Sequence, residues 1–147
     1  MEYLTCLEIN VDHPIEVGNT HAGRRRVVPI LGGTAQGPAL NGTVLPAGAD
    51  FQVIRSPTVS DLDARYIIEA DSGERIFVSN LAYRTGSAED IAALAQGTPV
   101  PPERIYFRCS PRFEVAGEDL KWLESTVVVG AGVRTPTAVL INLWSVL

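Results

Sequence analysis

Along most of this chain hydrophobic and polar positions change places residue by residue, the pattern of half-buried antiparallel strands. It is plainest from Gly48 to Tyr66, GADFQVIRSPTVSDLDARY. Two runs there predict strands, Phe51 to Arg55 and Leu62 to Ala70, with Ser56-Pro57 as the turn between them. In the first run Phe51 and Val53 share one face, and Asp50, Gln52 and Ile54 share the other. In the second, Leu62, Ala64, Tyr66 and Ile68 lie opposite Asp63, Arg65, Ile67 and Glu69. Asp50, Gln52, Asp63 and Arg65 are grouped on this basis as one polar face. That face is either solvated or the lining of a barrel lumen.

The same pattern organises the rest. Tyr3 to Val11 alternates and reads as a first strand, broken at His13-Pro14. Val17 to Gly23 reads as a loop. Arg24 to Leu31 reads as a strand with an edge or bulge at Pro29, followed by a Gly-rich turn, Gly32 to Pro38. That turn lacks the Gly-Lys-Ser/Thr ending of a phosphate-binding loop. Leu40 to Leu45 is a short strand and Pro46-Ala47-Gly48 a turn. Asp71-Ser72-Gly73 is a hairpin turn, and Arg75 to Asn80 returns as a strand. One helix is expected near Ser87 to Gln96, with Ser87 as N-cap, Glu89 and Asp90 in the first turn and Gly97 just past the end. A proline-rich connector, Thr98 to Pro102, leads to a strand with Ile105, Phe107 and Cys109 on one face and Tyr106 and Arg108 on the other. Phe113-Glu114-Val115 continues it. Leu120 to Gly130 and Ala138 to Leu147 read as strands apolar on both faces, with their connection starting at Gly130-Ala131-Gly132.

About nine or ten short strands with one helix predict an all-β domain, a sandwich or a barrel. The two-sided apolar final strands favour a single antiparallel β-barrel spanning residues 1–147. No linker or internal repeat divides the chain. Leu140, Trp144 and Val146 on one face, and Ile141, Leu143 and Leu147 on the other, exceed what one small barrel buries, so a homodimer is expected.

Composition narrows the function classes. Net charge is −5 with a pI near 5.0, against binding to nucleic acid, which needs clustered Lys and Arg. Arg24, Arg25 and Arg26 alternate faces in a strand and read as solvated edge charges. No apolar run reaches the roughly 18 residues of a membrane span, and the N-terminus does not resemble a signal peptide. A cytoplasmic protein with two free thiols, Cys6 and Cys109, is expected. His13 and His21 have no ligand spacing, so no metal and no cofactor is expected.

Several longer motifs occur in order: Gly23-Arg-Arg-Arg26 leading into Pro29-Ile-Leu-Gly-Gly-Thr34; Gly37-Pro38; Leu45-Pro46-x-Gly48-Ala49-Asp50; Leu62-Asp63-Ala64-Arg65-Tyr66; Tyr106-Phe107-Arg108-x-x-Pro111-x-Phe113-Glu114; and Trp122-Leu123. Together they resemble the family known as domain of unknown function 3237, over nearly the whole chain. The resemblance implies a small antiparallel β-barrel of cytoplasmic origin and carries no settled reaction. The chain departs from the family pattern with Phe51 in place of Trp, Glu124 in place of Asn, and no Asp-Gly turn before Leu62.

The candidate catalytic residues are Asp50, Arg65, Tyr106, Arg108 and Glu114. Arg65 and Arg108 are expected to point into the lumen and grip a carboxylate or enolate. Tyr106 can donate to a carbonyl oxygen, and Asp50 or Glu114 can take the adjacent proton if burial raises its pKa. The candidate ligand-binding residues are Phe51, Gln52, Asp63, Phe113 and Trp122, the aromatics forming an apolar wall. The competing reading makes Asp63–Arg65 a surface ion pair and puts Tyr66 and Trp122 in the core. The sequence supports a small-molecule-binding barrel, with a cofactor-free isomerase, cyclase or lyase as one form of it. A non-catalytic carrier or a structural oligomeric barrel is the alternative.

Overall fold

A computed structural model describes residues 1–147. The chain runs β1 (Glu2–Val11), β2 (Ile15–Thr20), β3 (Gly23–Gln36), β4 (Gly42–Ser56), β5 (Val59–Ala70) and β6 (Arg75–Thr85). The helix α1 (Ala88–Ala95) and a 3-10 turn at Pro102–Arg104 follow. β7 (Tyr106–Val115), a second 3-10 turn at Lys121–Ser125, β8 (Val128–Arg134) and β9 (Ala138–Ser145) complete it.

Neighbouring strands pair antiparallel in the order β1-β9-β8-β7-β6-β5-β4-β3-β2, and an additional β1–β3 pairing closes the sheet into a barrel. β3 is long enough to serve two neighbours on one edge. Its first half pairs with β2, from Ile15↔Val27 to Thr20↔Gly23. Its second half pairs with β1, from Cys6↔Gln36 to Val11↔Ile30. Closure therefore involves eight strands, and β2 extends the wall beside β1.

Alternation settles which side chains fill the barrel. Leu7, Val44, Ile68, Ile76 and Val78 are completely buried, and Tyr66, Val128 and Leu143 nearly so. Each such aliphatic side chain contributes about 1.5–3 kcal/mol by leaving water. They concentrate where β3, β4, β5 and β6 meet at Gly33↔Val44, Val44↔Ile68 and Ile68↔Ile76. Leu123, on the second 3-10 turn, joins this apolar core. The other half of the lumen is where polar side chains gather.

Four sequence readings are corrected. Val17 to Gly23 is mostly strand rather than loop: β2 is exposed and held to β3 through its backbone, so it needs no apolar face. Gly32 to Gln36 is strand interior rather than a turn. Gly33 is required there because a Cβ would overlap the Glu8 carbonyl oxygen of β1. Leu40–Leu45 and Phe51–Arg55 belong largely to one strand, β4, whose Pro46-Ala47-Gly48 segment is a register shift. Gly48 takes φ 99° there, and a Cβ would strike the Arg65 carbonyl. Finally, Leu120 to Gly130 is not one strand. It holds the Lys121–Ser125 turn, and Gly130-Ala131-Gly132 sits inside β8, its glycines making room for Cys109, Leu143 and Phe107. The turn to β9 lies at Thr135, whose backbone N–H donates to the Ala138 carbonyl at 2.8 Å.

The helix forms where the capping signals place it. The Asp90 backbone N–H donates to Ser87 Oγ at 3.1 Å, and Gly97 follows with φ 81°. Its Ile91 and Leu94 are buried. No helix is long and apolar enough to cross a membrane.

Candidate functional site

The lumen site is built by five strands that each turn one or two polar side chains inward at an otherwise apolar parity. β3 gives Arg26 beside Val28 and Ile30, and β4 gives Asp50 and Gln52. β6 gives Asn80 and Arg84 on the parity of Ile76 and Val78. Tyr66 comes from β5 and Arg134 from the end of β8. Asp50, Gln52, Asn80, Arg84 and Arg134 share a cavity of about 40 Å³, walled also by Ile9, Val139 and Ile141. That is room for a few waters or one small group.

A chain of hydrogen bonds crosses this wall. Arg26 Nε donates to Gln52 Oε1 at 2.9 Å, and Gln52 Nε2 donates to Asp50 Oδ2 at 2.8 Å. Arg26 Nη1 also donates to the Ala95 carbonyl at 3.1 Å, at the C-terminal end of α1. The helix has no basic residue of its own in the last turn, so Arg26 supplies the cation that end favours. Glu16 reaches Arg26 from the rim at 3.7 Å. Arg134 donates to the Thr135 and Ala138 carbonyls.

Four buried polar atoms have no partner: Asp50 Oδ1, Tyr66 Oη, Asn80 Oδ1 and Arg84 Nε. Arg84 is only 5% exposed, and its one described interaction is with the Phe107 ring, 5.6 Å from the guanidinium carbon to the ring centre. Native interiors leave few polar groups unpaired, so such a cluster needs an explanation. Burial pushes the Asp50 carboxyl up, opposed by the Gln52 hydrogen bond and the Arg84 charge. Burial pulls Arg84 down to about 10, with Asp50 resisting and Arg134 and Arg26 assisting. Burial also lowers Arg26 and Arg134, and raises the Tyr66 phenol.

The residues singled out from the sequence separate. Asp50 and Gln52 line the lumen, and Phe113 is buried in the core. Arg65 does not face the lumen. It lies on the outer wall, 3.3 Å from Asp63, which shares that face. The reason is register: Asp50 pairs with Ala64 and Phe51 with Asp63, so Asp63 and Arg65 share the outward face of Phe51, which is 39% exposed. Arg108 is also outside. It lies over the Tyr106 ring at 5.3 Å and donates to the Phe107 carbonyl. Tyr106 and Glu114 are exposed on the same parity of β7, and Trp122 is exposed on its 3-10 turn rather than packed in the core. Tyr106 and Arg108 do meet, in an outer groove of about 880 Å³ with Leu81, Tyr83 and Trp144. That groove holds none of the unpartnered buried atoms, so the smaller lumen is the stronger site.

Arg26, Asn80, Arg84 and Arg134 were missed. Arg26 is buried, not a solvated edge charge. The available signal was parity: Ile76, Val78, Asn80, Ala82 and Arg84 form one face of β6, and a strand reading that stops at Asn80 hides it.

The family model described as "Protein of unknown function (DUF3237)" matches residues 1–146. The chain belongs to this family. A UPF0311 protein of Rhodopseudomonas palustris is 38% identical over 146 residues, covering 99% of this chain and 95% of the relative. The crystal structure of a conserved protein of unknown function from that organism superposes with TM-score 0.93 at 37% identity, over 99% of this chain and 95% of the other. A β-barrel-like protein from Acinetobacter baumannii gives 0.85 at 37% identity, over 98% and 93%. The fold extends further: the crystal structure of an enzyme from Penicillium herquei matches at TM-score 0.69 with 16% identity, over 97% and 92%.

Proposed function

We propose that this DUF3237 barrel binds a small apolar molecule bearing a carbonyl or carboxylate, and that Asp50 moves a proton on it without a cofactor. The carrying observation is the pair of unpartnered groups, Asp50 Oδ1 and Arg84 Nε, at one small apolar cavity. In this reading the Asp50 carboxylate takes a proton from the carbon beside the carbonyl. The C–H electron pair becomes a C=C bond, and the carbonyl oxygen becomes an enolate facing Arg84. Where the substrate carries a β,γ double bond the enolate is a dienolate, and Asp50 returns the proton to its γ carbon as the double bond moves into conjugation, which makes the net change an isomerisation.

Acetone in deuterium oxide tests this. It should shift the methyl resonances of Ile9, Val139 and Ile141, and wild type should exchange its α-protons faster than Asp50→Asn. Shifts without exchange leave the barrel a carrier, and neither effect removes the site. We also propose that two copies pair through the outer groove, which carries both Asp61 and Arg108 around its apolar side chains and so offers opposite charges to a two-fold mate. A monomer in sedimentation velocity at micromolar concentration removes that idea. The unpaired Cys6 and Cys109 fit the reducing cytoplasm as the working compartment.

A further inference from the structure

The charges in the lumen do not balance. Arg26 and Arg134 are close enough to lower Arg84, and Arg26 to lower Arg134, and Asp50 is the one carboxyl among them. Glu16 sits at the rim, where it pairs with Arg24 and approaches Arg26. Arg26 is thus accounted for, and Arg134 is tied to two backbone carbonyls. Arg84 has neither a carboxylate within ion-pair distance nor any described hydrogen bond, although it is 95% buried by exposed area. A guanidinium so placed costs free energy that the Asp50 charge and the Phe107 ring offset only in part. This excess positive charge lies inside a protein whose net charge is −5.

We propose that the lumen is an anion site whose ligand head group is a short aliphatic monocarboxylate, or the enolate oxygen that resembles it, seated on Arg84. The proposal rests on the lumen reading above and names the charge of what enters. Phe107 lies against the guanidinium, and both side chains line the cavity. A planar fork of this kind matches two carboxylate oxygens. Asp50 lines the same cavity, and the proton it takes in the proposed step lets its carboxyl donate to the enolate oxygen. The cavity of about 40 Å³ limits the head group to a carboxylate with one or two carbons.

Acetate and acetamide separate charge from shape, because they are nearly isosteric. Titrating each into the wild-type protein and following the methyl resonances of Ile9, Val28, Val139 and Ile141 reads occupation of the cavity. Acetate should saturate at concentrations at least tenfold below acetamide. Arg84→Leu should abolish that preference, Arg84→Lys should retain it, and Arg65→Ala on the outer wall should leave it unchanged. Equal affinity of the two probes overturns the anion assignment while leaving a lumen site. Failure of both to shift any lumen methyl overturns the site itself. A preference for acetate that survives in folded Arg84→Leu also overturns the assignment to Arg84.

Discussion

The two walls of the barrel carry similar residues to different effect. Outside, Arg65 and Asp63 make an ion pair between side chains 57% and 33% exposed, and Arg108 rests on Tyr106. Water screens these charges, and such contacts are worth about 0–1 kcal/mol. Inside, Arg26, Gln52 and Asp50 form a continuous hydrogen-bonded chain, and Arg84 stands unpaired a short way along the same wall. The same side-chain types become a site only where water has been removed. Desolvation makes each satisfied contact strong and each unsatisfied one costly. The outer wall is thus tolerant, and the inner wall is where substitution should register.

The largest expected effect is at Arg26. Arg26→Ala strips the partner from Gln52 and from the end of α1, and should cost about 3 kcal/mol in a urea melt. A loss below about 1 kcal/mol would place Arg26 with the outer arginines after all.

Asp50 should give a pH signature. In the unfolded chain it ionises in the ordinary carboxylate range, and in the folded protein above it. Between those two values the folded protein holds more proton than the unfolded chain. Its contribution to stability is therefore full at the acid side of the window and lost as pH rises through the folded value. Comparing wild type with Asp50→Asn across acid to neutral pH isolates this fall. Identical profiles would mean that burial does not reach the carboxyl.

The smallest effects belong outside. Arg65→Ala and Arg108→Ala should each change stability by under about 0.5 kcal/mol. A thermal melt that shows a larger loss for either would erase the distinction between the walls.

Much of the fold was legible from alternation and punctuation. The period of two along β1, β5 and β7, the turn at Asp71-Ser72-Gly73 and the Ser87 cap predict a one-helix antiparallel barrel of about nine or ten strands, and nine strands form. The site was legible only in part. Asp50 and Gln52 stand out in the sequence because they share a polar strand face, grouped there with Asp63 and Arg65, while Arg26 reads as one of three adjacent solvated arginines. The sequence of each strand fixed which residues share a face, because successive side chains must point to opposite sides of the sheet. It left open which face of one strand continues which face of the next. Only the tertiary structure settled that, through the β4–β5 register pairing Asp50 with Ala64 and Phe51 with Asp63. A slip of one residue would have turned Asp63 and Arg65 inward. The choice between those registers rests on burying Leu62, Tyr66 and Ile68 together with Ile76 and Val78 of the neighbouring β6 and Leu7 of β1, and the contact with β1 joins strands far apart in the chain.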